Sequence, residues 1–218
     1  MLKCAVFDFD GTLFDSMPLW DSAGERYLRS LGIEPKPNVR EEIRAMSLDQ
    51  SALYFQKEYS LTFSAEEILA GIRRTVEYAY LHEILPKPGA AGFLARMKEA
   101  GIPMCIATAS ERYQVDAALV RCGLDGYFDA VFTCGEIGCG KDSPEIFRRA
   151  MERFRADRET TVVFEDALHA IQTAKADGFL VAAVFDASEK HQPEVRRLSD
   201  FYLTDYGNAD KFWEFVSA

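Results

Sequence analysis

The sequence has no apolar stretch long enough to cross a membrane as a helix, so no transmembrane segment is expected. The apolar run at Met1–Phe7 is too short for a secretory leader and meets Asp8 and Asp10 at once, so no targeting signal is expected either. Cysteine is sparse and odd in number: Cys4, Cys105, Cys122, Cys134 and Cys139, mostly within apolar segments. That pattern suits reduced thiols in a cytoplasmic protein better than a disulfide framework. Cys134 and Cys139 bracket Gly-Glu-Ile-Gly, but no second Cys/His pair completes a metal site. Basic residues are in deficit: 25 Lys and Arg stand against 35 Asp and Glu, a formal net charge of −10. Nucleic acid and anionic membranes are therefore not expected partners. A phosphorylated ligand would also be repelled, unless a cation or a local positive site intervenes. There is no internal repeat and no low-complexity segment.

What is present is ordinary globular composition, 48% hydrophobic and 28% charged. Lys3–Phe9 reads as a buried strand closed by acids and Gly11. From Ser16 to His82 the apolar residues recur at three- and four-residue spacing, first in Leu19/Trp20/Ala23/Tyr27/Leu28/Leu31. Further helices are expected at Ile43–Met46, Leu48–Tyr59 and Ala65–Leu81, the last with Ser64 as N-cap and an acidic first turn. Leu85-Pro86-Lys87-Pro88-Gly89 cannot continue a helix and reads as a linker.

Beyond the linker, helix-like and strand-like segments alternate. Strands are expected at Pro103–Ala107, Ala130–Thr133, Thr161–Phe164, Leu180–Phe185 and Phe201–Leu203. Helices are expected at Ala90–Ala100, Tyr113–Cys122, Pro144–Phe154, Leu168–Asp177 and Ala209–Val216. Continuous Val/Ile/Phe runs without polar alternation require a parallel sheet covered on both faces. The expected fold is α/β, a doubly wound Rossmann-like parallel sheet, interrupted after its first strand by roughly 70 helical residues, too long for a crossover. The expected division is a core of residues 1–15 and 87–218 and an all-helical cap domain of residues 16–86, with hinges near Phe14–Pro18 and Leu85–Pro88.

Ligands of such sheets bind outside the carboxyl ends of the strands. Those ends carry Asp8-Phe9-Asp10-Gly11-Thr12, Thr108-Ala109-Ser110 and Glu165-Asp166, with Gly140-Lys141-Asp142 before a helix. Four carboxylates gathered at one edge need a cation, and hard oxygen ligands point to Mg²⁺. Asp8 is the candidate nucleophile, since a carboxylate can carry a phosphoryl group and split one displacement into two. Asp10 would share its side of the chain if the strand continued, and could act as general acid/base. Thr108, Ala109 and Lys141 are the candidate contacts for a substrate phosphate, through a hydroxyl, backbone N–H groups at a helix start and a point charge.

The segment Asp8-Phe9-Asp10-Gly11-Thr12-Leu13-Phe14-Asp15-Ser16 resembles the first motif of the haloacid dehalogenase superfamily. Thr108, Lys141 and Glu165-Asp166 resemble its second, third and fourth motifs in order and spacing. The helical insertion resembles the C1 cap of the β-phosphoglucomutase-like phosphatases. The resemblance implies the same roles for Asp8 and Asp10. It also implies that Asp8, the carbonyl of Asp10, Asp166 and Glu165 hold Mg²⁺. The implied activity is a phosphatase acting on a small phosphorylated metabolite.

Some positions depart from the pattern. Asp142 and Ser143 replace the usual Pro-x after the third-motif lysine. Ala167-Leu168-His169-Ala170-Ile171 lacks the hydroxyl and glycine usual after the fourth motif. Glu111-Arg112 stands where the mutase branch has Lys-Asn, a pair that helps hold a second phosphate. His169 reads as a helix-surface residue and Trp20 as packing within the cap, while Arg44, Arg73 and Arg74 could supply the missing cation. A sugar-phosphate mutase and a catalytically silent phosphate-ligand-binding protein remain alternatives, although the latter needs neither Asp8 nor Asp10.

Overall fold

The computed structural model describes residues 2–43 and 46–217. Its strands are β1 (Cys4–Phe7), β2 (Met104–Thr108), β3 (Ala130–Thr133), β4 (Thr161–Glu165), β5 (Leu180–Val184) and β6 (Phe201–Leu203). They form one parallel sheet in the order β3-β2-β1-β4-β5-β6, the doubly wound arrangement expected. The winding reverses beside β1, so the crevice outside β1 and β4 is where this topology places a ligand.

The strands β1, β2 and β4 are buried on both faces because successive side chains alternate between two apolar layers. Cys4 and Val6 of β1 join Ile146, Phe147, Ala170, Ile171 and Val195 from α8 (Glu145–Arg153), α9 (Leu168–Ala176) and α10 (Gln192–Leu198). On the other face Phe7 stacks on Phe164, centroids 4.2 Å apart, and meets Phe93 of α5 (Ala90–Glu99) edge-on. Phe212 and Trp213 of α11 (Asp210–Ser217) close that layer around Phe93. The remaining helices of this unit are α6 (Arg112–Arg121) and α7 (Cys134–Ile137).

The short helices α7 and α10 lie outside the expected set. Four and seven residues are too few to show a helical period, and α10 buries only Val195 while carrying Pro193 in its first turn. β2 and β4 each extend one residue further than expected, so Thr108 and Glu165 are the last residues of their strands.

Four helices make up the insertion: α1 (Met17–Ser30), α2 (Val39–Ile43), α3 (Leu48–Glu58) and α4 (Ala65–His82). Of the helix expected at Ile43–Met46 only Ile43 is helical, as the last residue of α2; Met46 lies outside any helix, and Arg44 and Ala45 lie outside the described residues. Tyr27, Leu28, Val39, Ala52, Phe55 and Ile68 form its core. Two glycines permit the close packing: a Cβ on Gly71 would lie 2.2 Å from the Tyr27 ring, and one on Gly24 2.6 Å from Phe55. Ser64 caps α4 in a capping box, its Oγ accepting the Glu67 N–H while the Glu67 carboxylate accepts the Ser64 N–H. Trp20 is 46% exposed; it meets Tyr80 edge-on and donates its indole N–H to the Tyr80 hydroxyl at 3.1 Å. The packing expected of it is therefore partial, with about half of the residue covered.

The chain divides into two compact units, Met1–Ser16 with Ile84–Ala218, and Met17–Glu83. Ser16 and Ile84–Pro86 go with the α/β unit because the two linkers pair with each other. Asp15 N–H donates to Leu85 O (3.0 Å), Lys87 N–H donates to Leu13 O (2.9 Å), and Phe14 bridges Pro86 antiparallel. Most of each segment read as a hinge is therefore hydrogen-bonded into the α/β unit. Among the described residues no helix is long and apolar enough to cross a membrane.

Candidate active site

Asp8 follows the end of β1, beside the ends of β4 and β2, and is buried. Its carboxylate pairs with Lys141 Nζ, which also donates to Glu165 Oε1 at 2.7 Å. Glu165 Oε2 accepts the backbone N–H groups of Asp166 (2.9 Å) and Ala167 (3.0 Å), which fixes the turn after β4. Asp166 Oδ1 accepts the Thr12 hydroxyl at 2.8 Å, and the Thr12 carbonyl accepts the Tyr206 hydroxyl at 3.1 Å. Carboxylate oxygens of Asp8, Glu165 and Asp166 lie within 4.8 Å of one another.

Asp10 arrives by a different route from the one its spacing suggested. β1 stops at Phe7, and the chain turns tightly through Gly11, whose φ of 75° is a conformation that glycine adopts without strain. Leu13 and Phe14 N–H both donate to Phe9 O, and Gly11 N–H donates to Phe14 O. Asp10 is oriented by two hydroxyls, Ser16 Oγ on Oδ1 (2.6 Å) and Ser110 Oγ on Oδ2 (2.5 Å). Ser110 N–H in turn donates to Thr108 Oγ1 at 3.0 Å, and Thr108 is fully buried while Ala109 is exposed.

The donor set fits a hard divalent cation. Burial pushes the Asp8 carboxyl well above the usual carboxylate range despite Lys141, with Glu165, Asp166 and Asp10 adding repulsion. Burial and Glu165 push Asp166 up to about 7, although the Thr12 hydrogen bond opposes this. For Lys141, burial favours the neutral amine, but Asp8 and Glu165 outweigh it and hold the ammonium above its ordinary range. One ammonium faces three buried carboxylates, which is the imbalance a divalent ion corrects.

This imbalance gives a pH-dependent effect of the metal. A carboxyl whose folded-state pKa is raised contributes stability that is fully present below its unfolded value, near 4, and is lost as pH rises through about 7. A cation that binds the ionised form reverses that loss. The rise in melting temperature on adding Mg²⁺ should therefore grow between about pH 4 and 7. A rise independent of pH, or none at pH 7.5, would contradict the cluster's role.

Arg112 is engaged elsewhere. Its guanidinium forms a fork with Glu136 (2.5 and 2.6 Å) and also donates to the Val131 carbonyl of β3. Arg73 and Arg74 are exposed on α4, and His169 is exposed on α9. All five cysteines are free thiols. The hydroxyls of Thr12, Ser16 and Ser110 orient the carboxylates, yet no role was expected of them. Two of these lie in the first motif and one in Thr108-Ala109-Ser110, so position within a motif was the available signal.

The model of the haloacid dehalogenase-like hydrolase family matches residues 2–178, and the chain belongs to that family. A phosphorylated carbohydrates phosphatase of Thermotoga maritima is 25% identical over 177 residues, covering 81% of this chain and 82% of that one. Hexitol phosphatase B of Escherichia coli is 27% identical over 179 residues, 80% of each chain. A crystal structure from Thermotoga maritima superposes with a TM-score of 0.85 at 21% identity, covering 98% of this chain and 99% of that one. At that identity the superposition establishes the fold.

Proposed function

We propose that the protein is a Mg²⁺-dependent phosphatase that hydrolyses a small, sugar-phosphate-like metabolite through an aspartyl-phosphate on Asp8. The observation that carries this reading is the buried cluster of Asp8, Lys141, Glu165 and Asp166 at the carboxyl edge of the sheet. The two phosphatase relatives, one acting on phosphorylated carbohydrates and one a hexitol phosphatase, support the substrate class. The free thiols suit a reducing compartment, and the cytoplasm is the proposed location.

In this mechanism an Asp8 carboxylate oxygen attacks phosphorus while the ester P–O bond breaks, and Asp10 donates its proton to the leaving oxygen. Asp10 then takes a proton from water as that water attacks phosphorus, which releases inorganic phosphate and restores Asp8. The Thr108 hydroxyl, the backbone at Ala109 and Lys141 bind the phosphoryl oxygens. Asp8, Asp166, the Asp10 carbonyl and Glu165 are the proposed Mg²⁺ ligands, Glu165 by exchanging one of its present hydrogen bonds. Bound Mg²⁺ supplies positive charge against the transferring phosphoryl group. The acidic surface is thus offset locally, where the phosphate binds.

The mutase reading is disfavoured by the second-motif region. Glu111 would repel a second phosphate, and Arg112 is held by Glu136 and Val131. The test is a screen of phosphorylated sugars, polyols, nucleotides and acids with Mg²⁺, read as phosphate release. Release from monophosphates is expected, with negligible interconversion of glucose 1- and 6-phosphates. Isomerisation of β-glucose 1-phosphate, primed by the bisphosphate and faster than hydrolysis, would reverse the choice.

A further inference from the structure

Lys87, in the linker before α5, has no part in the mechanism above, yet it is the second lysine tied down at this edge of the sheet. Its Nζ donates to the Phe185 carbonyl (2.7 Å) and pairs with Asp186 Oδ2 (2.8 Å) just beyond β5, with the two side chains 11% and 6% exposed. Asp186 is itself braced: Oδ1 accepts the Ser188 N–H at 2.9 Å, and its carbonyl accepts the Gln192 side-chain amide at 2.8 Å. The Lys87 backbone continues the connection, because its N–H donates to Leu13 O and Asp15 N–H donates to Leu85 O. Leu13 and Phe14 then close onto Phe9 O, and the Phe14 ring stacks on Phe9 at 4.3 Å. Asp10 lies inside that turn. A series of hydrogen bonds thus runs from the end of β5 to the Phe9–Phe14 turn that carries Asp10.

A buried ion pair is weak evidence for stability, since desolvation offsets most of the attraction. Fixing geometry is a better account of this one. We propose that Lys87 and Asp186 are a positioning pair that anchors the Asp10 turn to the end of β5 and so sets where the Asp10 carboxyl meets the leaving oxygen. The proposal rests on the general-acid role given to Asp10 above.

The chemistry supplies a selective test. An alkoxide leaving group needs a proton, whereas p-nitrophenolate departs without one, so misplacing the acid should harm only the alkyl ester. The probes are p-nitrophenyl phosphate and the alkyl monophosphate hydrolysed fastest in the screen, each with saturating Mg²⁺ and read as kcat/KM. The double variant K87M/D186N leaves no unpaired buried charge and is the first to measure; K87Q/D186N, equally free of unpaired charge, serves if it does not fold. We expect about a 10-fold or greater loss for the alkyl ester and less than about 3-fold for the aryl ester. K87R, which keeps the charge, should retain most of the alkyl rate. Equal losses on both esters, or no loss on either, would overturn the positioning role while leaving the phosphatase reading intact. Wild-type protein that hydrolyses neither ester would sink both.

Discussion

Asp8→Asn should lower turnover by about 10³-fold or more while leaving the melting temperature unchanged or higher. The amide keeps the shape of the side chain but removes the nucleophilic oxygen's charge and one proposed metal ligand. It also removes one of three mutually repelling carboxylates from a buried cluster, where burial already disfavours the charged form of Asp8. Lys141 keeps Glu165 as a partner at 2.7 Å, so no ammonium is stranded. Activity and stability should therefore move apart, as expected where a fold carries strain for function. The comparison is steady-state phosphate release alongside thermal melts of both proteins. A variant that turns over near the wild-type rate would remove Asp8 from the mechanism.

Lys141→Met should lose both activity and stability. Lys141 is the only cation paired with Asp8 and Glu165 among the described ion pairs, and its side chain is 7% exposed. Taking away one partner of a buried pair leaves uncompensated charge, which costs about 3–5 kcal/mol. Losing a positive charge from a phosphoryl-transfer site costs about 10²–10³-fold in kcat. Mg²⁺ should recover part of the lost stability, because it neutralises the same carboxylates, but little of the rate. Denaturant melts with and without Mg²⁺, together with kcat, separate the two effects. Unaltered kcat in a destabilised variant would reduce Lys141 to a structural partner.

Much of this was legible in the sequence, and the reasons are local. β1, β2 and β4 announce themselves because a strand buried on both faces is apolar almost throughout, as Cys4-Ala5-Val6-Phe7 is. Ser64 and Glu67 mark the start of α4 because a capping box is a four-residue device. Asp8, Glu165 and Asp166 stand at the ends of neighbouring strands and Lys141 in the turn before α8, so folding the sheet brings them together.

The rest depended on contacts that no short pattern encodes. α10 is too brief to show a period, and the start of α2 at Val39 is set by tertiary packing of that one buried residue. Asp10 was expected along a continuing strand, but its position comes from the turn through Gly11 and its orientation from Ser16 and Ser110, the latter 100 residues away. The Lys87–Asp186 pair joins a linker to a strand end 99 residues later in the chain, and neither residue belongs to a recognisable motif.

The covalent route is the central claim, and the stereochemical outcome at phosphorus tests it most directly. An alkyl phosphorothioate carrying one heavy oxygen isotope in a defined configuration would be hydrolysed with Mg²⁺ in water enriched in a second isotope. Attack by Asp8 inverts phosphorus once and attack by water inverts it again, so the thiophosphate product should show net retention. Net inversion would mean that water attacks the substrate directly, and would contradict the assignment of Asp8 as nucleophile.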